Sequence, residues 1–305
     1  MAKVKEYGPV DERFTWINLP VDDLDDLLEI GNTYGISEEM LAYASDKNER
    51  ARLEYDDDTD TLLIIFNIAN KKKVNYHYET LPMTLIIRNN VLLTFAHEDN
   101  DYVIQLMKHY IHRHSDEGLY KFLFSSLFLI VKEYFPLVEE MDRERNLLTK
   151  ELRTRTTRKN LFNLSDLETG IAYFRTGARQ NEILLEQFRS PSLFKRLDGI
   201  DIEELDDAVI EAKQLVEMTE LSWQILDRLS DTYNNVLNNN LNETMRILTV
   251  LSILLTVPTI VTGFYGMNMD LPFVQSRFSW VFALIISALG WWILARILKR
   301  FFDKH

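Results

Sequence analysis

The chain contains no cysteine, which excludes both a disulfide framework and a thiolate metal site. Positive charge is also in deficit. Lys and Arg number 34 against 47 Asp and Glu, a formal charge of -13. A nucleic-acid binder needs a basic face for the phosphates, so no nucleic-acid partner is expected; an acidic surface repels anions and gathers cations. The N-terminus, Met1-Ala2-Lys3-Val4-Lys5-Glu6-Tyr7, lacks the apolar stretch of a secretory signal. No internal repeat or low-complexity linker is present, and no phosphate loop, HExxH motif or nucleophile–base grouping appears, so neither an enzyme nor a cofactor is expected. At 305 residues the chain can hold one large domain or two smaller ones.

Charge is missing altogether from two C-terminal stretches. Ile247 to Met269 and Phe278 to Ala295 carry none, the second being bracketed by Arg277 and Arg296. A membrane-spanning helix needs about 20 mainly apolar residues, and core helices of soluble proteins seldom run so long without charge. Trp280 near one end of the second stretch and Trp291-Trp292 near the other fit interfacial anchors. Arg246 precedes the first stretch, while Arg296, Lys299, Arg300 and Lys304 end the second. The positive-inside rule then places both termini in the cytoplasm of a multi-pass plasma-membrane protein in contact with lipid, with a short external loop.

The remainder divides into a mixed region and a helical one. Residues 14–17, 61–68, 83–87 and 91–95 are rich in β-branched and aromatic side chains and predict strands, with Asn89-Asn90 as a hairpin turn. Val21 to Ile30, opening on Asp22 and Asp23, predicts a helix. After Gly118 the pattern is helical, with breaks expected near Asn163-Leu164-Ser165 and Ser190-Pro191-Ser192. The expected fold is an α+β cytoplasmic domain, a mixed β-sheet with flanking helices over residues 1–118. A cytoplasmic helical region over 119–244 follows, including a stalk helix at about 201–244. Then come a first span at 245–268, an external loop at 269–277, a second span at 278–298 and a basic tail at 299–305.

From Ile202 an apolar or small set recurs in steps of three and four: Leu205, Val209, Ala212, Val216, Thr219, Trp223, Leu226, Ser230, Tyr233 and Leu237. Such a stripe packs against copies of itself or neighbouring helices. The period then continues with a changed character through Asn242, Met245, Thr249, Ser252, Thr256, Thr259 and Gly263. Around a shared axis this face lines a water-filled path; against another helix it is a close-packing seam whose hydroxyls bond their own backbone. Periodicity alone admits both. Two spans cannot enclose a conduit unaided, so the first reading requires several symmetric copies.

At the end of this face stands Tyr265-Gly266-Met267-Asn268, where Gly-Met-Asn follows an aromatic residue and closes the first of two C-terminal spans. In that position the sequence resembles the CorA magnesium transport family. Asn242-Glu243-Thr244-Met245 with Leu248, Trp16-Ile17-Asn18-Leu19 with Tyr34-Gly35-Ile36, and Asp46-Lys47-Asn48-Glu49-Arg50-Ala51-Arg52-Leu53-Glu54 extend the resemblance along the chain. It implies a homopentamer passing Mg²⁺, and in some relatives Co²⁺ or Ni²⁺. The first spans line the pore, and a mouth of Tyr265, Gly266, Met267 and Asn268 contacts the hydrated ion. Asn268 carbonyls suit that task because Mg²⁺ sheds water reluctantly. Met245 and Leu248 match the family's hydrophobic constriction, and by heptad phase Thr249 competes with Leu248 for the axis.

The resemblance further implies that cytoplasmic Mg²⁺ regulates the pore from between subunits. Asp207, with Asp206 beside it, falls where the family has an acidic ligand, but Tyr43 stands where the partner aspartate is usual. A rearranged site would draw on Glu38, Glu39 or Asp46. Two other clusters carry less. Asp56-Asp57-Asp58-Thr59-Asp60 reads as a solvated turn and His109, His112 and His114 as an unsupported transition-metal set. Two alternatives to Mg²⁺ influx remain, a CorA-like transporter of Zn²⁺ or another transition metal, and a membrane-anchored oligomeric sensor.

Overall fold

A computed structural model describes residues 5–7, 14–20, 31–96, 98–154, 157–267 and 278–302. The chain forms two units, 1–230 and 231–305; the sheet-bearing region and the helical region from Gly118 to Ser230 lie in the first.

The first unit is built on a six-stranded sheet. Its strands are β1 (Lys5–Tyr7), β2 (Thr15–Pro20), β3 (Arg52–Asp56), β4 (Thr61–Ala69), β5 (Thr80–Arg88) and β6 (Val91–Ala96). They lie in the order β1-β2-β6-β5-β4-β3, with β2 and β6 parallel and every other neighbour antiparallel. The four predicted strands are present; β1 and β3 are additional, and β3 (Arg-Leu-Glu-Tyr-Asp) is a charged edge strand. Asn89 and Asn90 take φ values of 48° and 62°, the left-handed pair that a two-residue hairpin requires. The Asp56–Asp60 run is indeed a turn. Asp56 accepts from the Asp58 amide at 3.0 Å and the Thr59 hydroxyl at 2.6 Å. Asp60 takes Arg196 at 2.5 Å, and that guanidinium holds its carboxyl below the usual range. The helix predicted over 21–30 lies outside the described residues.

All nine residues of β4 are buried, because both faces of the sheet are covered and its sequence is accordingly a continuous apolar run. On one face Leu63 and Ile65 join Ile17, Leu19, Ile86, Leu93 and Phe95 against Met40, Leu41 and Ala44 of α1 (Glu38–Ser45). The helices that follow are α2 (Asp101–Arg113), α3 (Leu119–Lys132), α4 (Tyr134–Thr154), α5 (Arg158–Gln187), α6 (Pro191–Phe194), α7 (Gly199–Tyr265) and α8 (Ser279–Phe302). Trp16, fully buried, donates to Thr94 Oγ1 at 3.0 Å, and its ring lies 5.4 Å from that of Phe122 on α3.

The break expected near Asn163 does not occur: α5 runs unbroken from Arg158, capped by Thr157, whose hydroxyl accepts from the Asn160 amide. Asn160, Leu164, Leu167, Ile171 and Phe174 are buried at helical spacing, and that burial outweighs the poor propensities of the exposed Asn163 and Ser165. The break at Ser190-Pro191-Ser192 stands, with Pro191 in the first turn of α6.

α5 approaches the sheet closely because it carries glycine there. A Cβ on Gly177 would lie 2.8 Å from Thr80 Cγ2. One turn later Asn181, wholly buried, accepts from the Asn67 amide at 2.8 Å and donates to the Asn67 carbonyl at 2.7 Å. The β3–β4 register ends at Arg52 opposite Ile65, so Asn181 supplies the backbone partners that a longer β3 would have given. Asn181→Leu strands both groups and is expected to cost about 2–4 kcal/mol, read as a lower unfolding midpoint in urea; an unchanged midpoint refutes this role.

Candidate functional site

α7 and α8 each contain a window long and apolar enough to cross a membrane, with mean hydropathy 2.1 and only 6% of the window buried. The geometry of the first span separates two faces. Its partly covered residues are Val250, Leu254, Val257, Pro258, Val261 and Tyr265. Val257 meets the second span, since a Cβ on Gly290 would lie 2.9 Å from Val257 Cγ1. On α8 the covered positions are Val281, Ala283, Ser287, Gly290, Leu294, Ala295 and Leu298, among which Ala283, Ser287, Gly290 and Leu294 recur at steps of four, three and four. The small residues of this seam let two backbones approach in lipid. It was legible in the sequence as that spacing but was not singled out there.

The predicted polar set, Asn242, Met245, Thr249, Ser252, Thr256, Thr259 and Gly263, is exposed throughout. At about 100° per residue its centre lies roughly 160° around the helix from the covered face. The seam between the two spans therefore does not use it. Leu248, 63% exposed, sits about 70° from the centre of the set and Thr249 about 30°. Each hydroxyl on the face donates to the carbonyl four residues earlier: Thr249 to Met245 and Ser252 to Leu248 at 2.8 Å, Thr256 to Ser252 and Thr259 to Leu255 at 2.9 Å. Below them, Arg246 pairs with Glu243 at 2.8 Å.

The helix ends at Tyr265. The Gly266 amide still reaches the Thr262 carbonyl at 2.9 Å, and the Met267 amide reaches Phe264 at 3.3 Å. A Cβ on Gly266 would lie 3.1 Å from the Thr262 carbonyl oxygen, a tight fit that favours glycine. Asn268 and the loop to Arg277 lie outside the described residues. Trp280, Trp291 and Trp292 are exposed on α8, and Arg296 stands 4.4 Å over the Trp292 ring.

In the first unit, Asp206 accepts from Arg189 at 2.6 Å, whereas Asp207 is exposed. Tyr43 is engaged locally: it donates to Glu39 at 2.5 Å, which raises its pKa, and its ring lies 3.7 Å from the Arg52 guanidinium. Asp46 accepts from the Asn48 amide at 2.8 Å. His114 stacks on Tyr110 at 4.4 Å. No group of three His, Asp or Glu placed to hold a metal ion occurs among the described residues, so the histidine set is not assembled.

Residues 11–300 match the family described as CorA-like Mg2+ transporter protein. The chain belongs to that family. It is similar to the cobalt/magnesium transport protein CorA of Thermotoga maritima, at 24% identity over 95% of this chain and 82% of the relative. The CorA of Methanocaldococcus jannaschii is 26% identical over 87% of this chain and 83% of its own length. The complete structure of the Methanocaldococcus jannaschii CorA magnesium transporter superposes with a TM-score of 0.79, at 23% identity and covering 97% of each chain. CorA-family proteins are ion transporters, so this chain is a membrane protein and not an enzyme.

The Val257–Gly290 contact gives a direct test of the two-face geometry. Gly290→Leu is expected to force the spans apart and lower the melting temperature of the detergent-solubilised protein by several degrees or more. Leu284→Val, at an exposed position, serves as the control and is expected to change it little. Equal melting temperatures for all three proteins rule out the seam.

Proposed function

We propose that this CorA-family chain forms a gated homo-oligomeric path that admits Mg²⁺, and with it Co²⁺ and Ni²⁺, across the plasma membrane. The observation that carries this reading is the exposed polar face of the first span, turned away from the second. In hydrocarbon such a face is costly, and among the described residues of one chain nothing covers it. Copies arranged about an axis turn it inward onto water, and five copies are the number the family resemblance implies. The second spans then form the outer, lipid-facing ring, both termini lie in the cytoplasm, and Tyr265, Gly266, Met267 and Asn268 form the external mouth. At that mouth Asn268 carbonyls accept from the ion's own waters, which is less costly than stripping them. Met245 and Leu248 form the constriction, closing by exclusion of water.

Uptake into proteoliposomes of Mg²⁺, Co²⁺, Ni²⁺ and Zn²⁺, measured side by side, tests the function. Mg²⁺ uptake driven by the gradient alone is expected, and Asn268→Ala is expected to abolish it while leaving the oligomer assembled. Zn²⁺ transport without Mg²⁺ transport, or normal uptake by assembled Asn268→Ala, overturns this reading.

The regulatory half of the proposal rests on Asp207 and Asp206 on the first part of α7. Acidic helices gathered about an axis repel one another, and a divalent ion between subunits relieves that repulsion, favouring a closed state. Because Asp206 is paired with Arg189 and Tyr43 with Glu39 and Arg52, Asp207 is the freer ligand and the coupling is weak. Mg²⁺ is expected to protect the N-terminal unit from protease, and Asp206→Ala/Asp207→Ala to shift that protection to higher Mg²⁺. Equal protection at equal concentrations removes these aspartates from the sensor.

A further inference from the structure

A cavity of about 550 Å³ opens in the N-terminal unit, lined by α5, by β4 and β5, by the loop before β3 and by Trp223 of α7. We propose that it is a binding site for a nucleoside phosphate, in which aromatic side chains take the base and the loop takes the phosphate. The proposal goes beyond the transport reading and does not depend on it.

The lining falls into three chemical parts. Thr80, Ala172, Thr176 and Gly177 are small, which leaves room for a ligand. Tyr173 and Trp223 are aromatic, and each ring already has a partner on one face. His77 lies nearly parallel to Tyr173 with the ring centroids 5.8 Å apart, and the Arg175 guanidinium stands 5.4 Å over Trp223, itself held by Glu220 at 2.5 Å. Both rings are thus fixed in orientation and keep a second face on which a planar base can stack. Beside them Gln180 accepts from Asn67 Nδ2 at 2.8 Å, so its amide has a set orientation. The Gln180 NH₂ group has no partner among the described residues and offers two donors to the acceptor nitrogens of a base.

Lys47 and Arg50 are the charged part. In a chain of net charge -13 both stand exposed on this cavity, and among the described residues neither side chain is in an ion pair. Of the two carboxylates on the lining, Glu49 is spent on Arg52 at 3.6 Å and on the Arg50 amide at 3.2 Å, and Glu168 has an interaction of its own. A phosphate answers both cations, Arg50 through its forked N–H groups and Lys47 as a compact charge. The cavity is far larger than an inorganic anion needs and lies within the range of small-molecule sites. A base and a phosphate carried in one molecule use all three parts of the lining.

Calorimetric titration of the full-length, detergent-solubilised protein with ADP tests the site, with adenosine and pyrophosphate as its two halves. ADP is expected to bind saturably, and each half at least about tenfold more weakly. Lys47→Ala/Arg50→Ala is expected to weaken ADP binding by about tenfold or more. Thr176→Phe, at an exposed position on the lining, fills the cavity without removing either recognition group. It is expected to abolish ADP binding at an unchanged melting temperature, and it carries the test should the double variant fail to fold. Absence of saturable ADP binding overturns the proposal, as does ADP binding that survives Thr176→Phe. Pyrophosphate bound as tightly as ADP leaves only an anion site and overturns the nucleoside phosphate. Binding is read without transport, so none of these results bears on the reading of the first span.

Discussion

A polar group placed in hydrocarbon must find a partner or be turned to water, and that constraint organises the C-terminal unit. The first span carries four hydroxyls along one face, each with its proton returned to the backbone. Their oxygens still have lone pairs to satisfy. The second span cannot satisfy them, because it meets the opposite face at Val257. Among the described residues of one chain that face is left uncovered, on one side of the helix only.

The N-terminal unit follows a different constraint, the need to satisfy the backbone of a strand buried on both faces. β4 is covered along its whole length, yet its edge partner β3 is shorter. Asn181 fills the gap with a side-chain amide, which offers one donor and one acceptor at nearly the spacing of a peptide group. It reaches Asn67 because Gly177 brings α5 close to the sheet. The same helix lies beside the first part of α7, bridged by Arg175 to Glu220 and Glu186 to Lys213. There Leu205, Val209, Ala212, Thr219 and Leu226 of α7 are buried in this unit. Those positions are part of the heptad-like stripe expected from sequence; up to Leu226 it is spent largely inside the chain.

The family and its cargo chemistry were legible early because they depend on local signals: uncharged stretches, basic flanks, and Gly-Met-Asn in its place at the end of a span. The four strongest strands were legible for the same reason. The continuity of α5 was not. Asn163 and Ser165 favour a break locally, and only the burial of Leu164 and Leu167 reveals why the helix continues. Nor could periodicity choose between a packing seam and a free face for Thr249 to Gly263, since both use the same spacing of small and polar residues.

Sequence by itself determined that this chain has two spans, an alternation of three- and four-residue steps along α7 that keeps Asn242 to Gly263 on one face, and the CorA motif at its end. These follow from composition and the 3.6-residue turn, which act within a few residues of chain. Tertiary structure decided which side of that helix is covered, that Asp206 is tied to Arg189 while Asp207 is exposed, and that Tyr43 is held by Glu39 and Arg52. Each of these depends on a partner brought close by folding, Gly290 to Val257 or Arg189 to Asp206 across 17 positions of sequence. No local pattern encodes such a meeting, because the contact energy belongs to the pair and the pair exists only once the chain has folded.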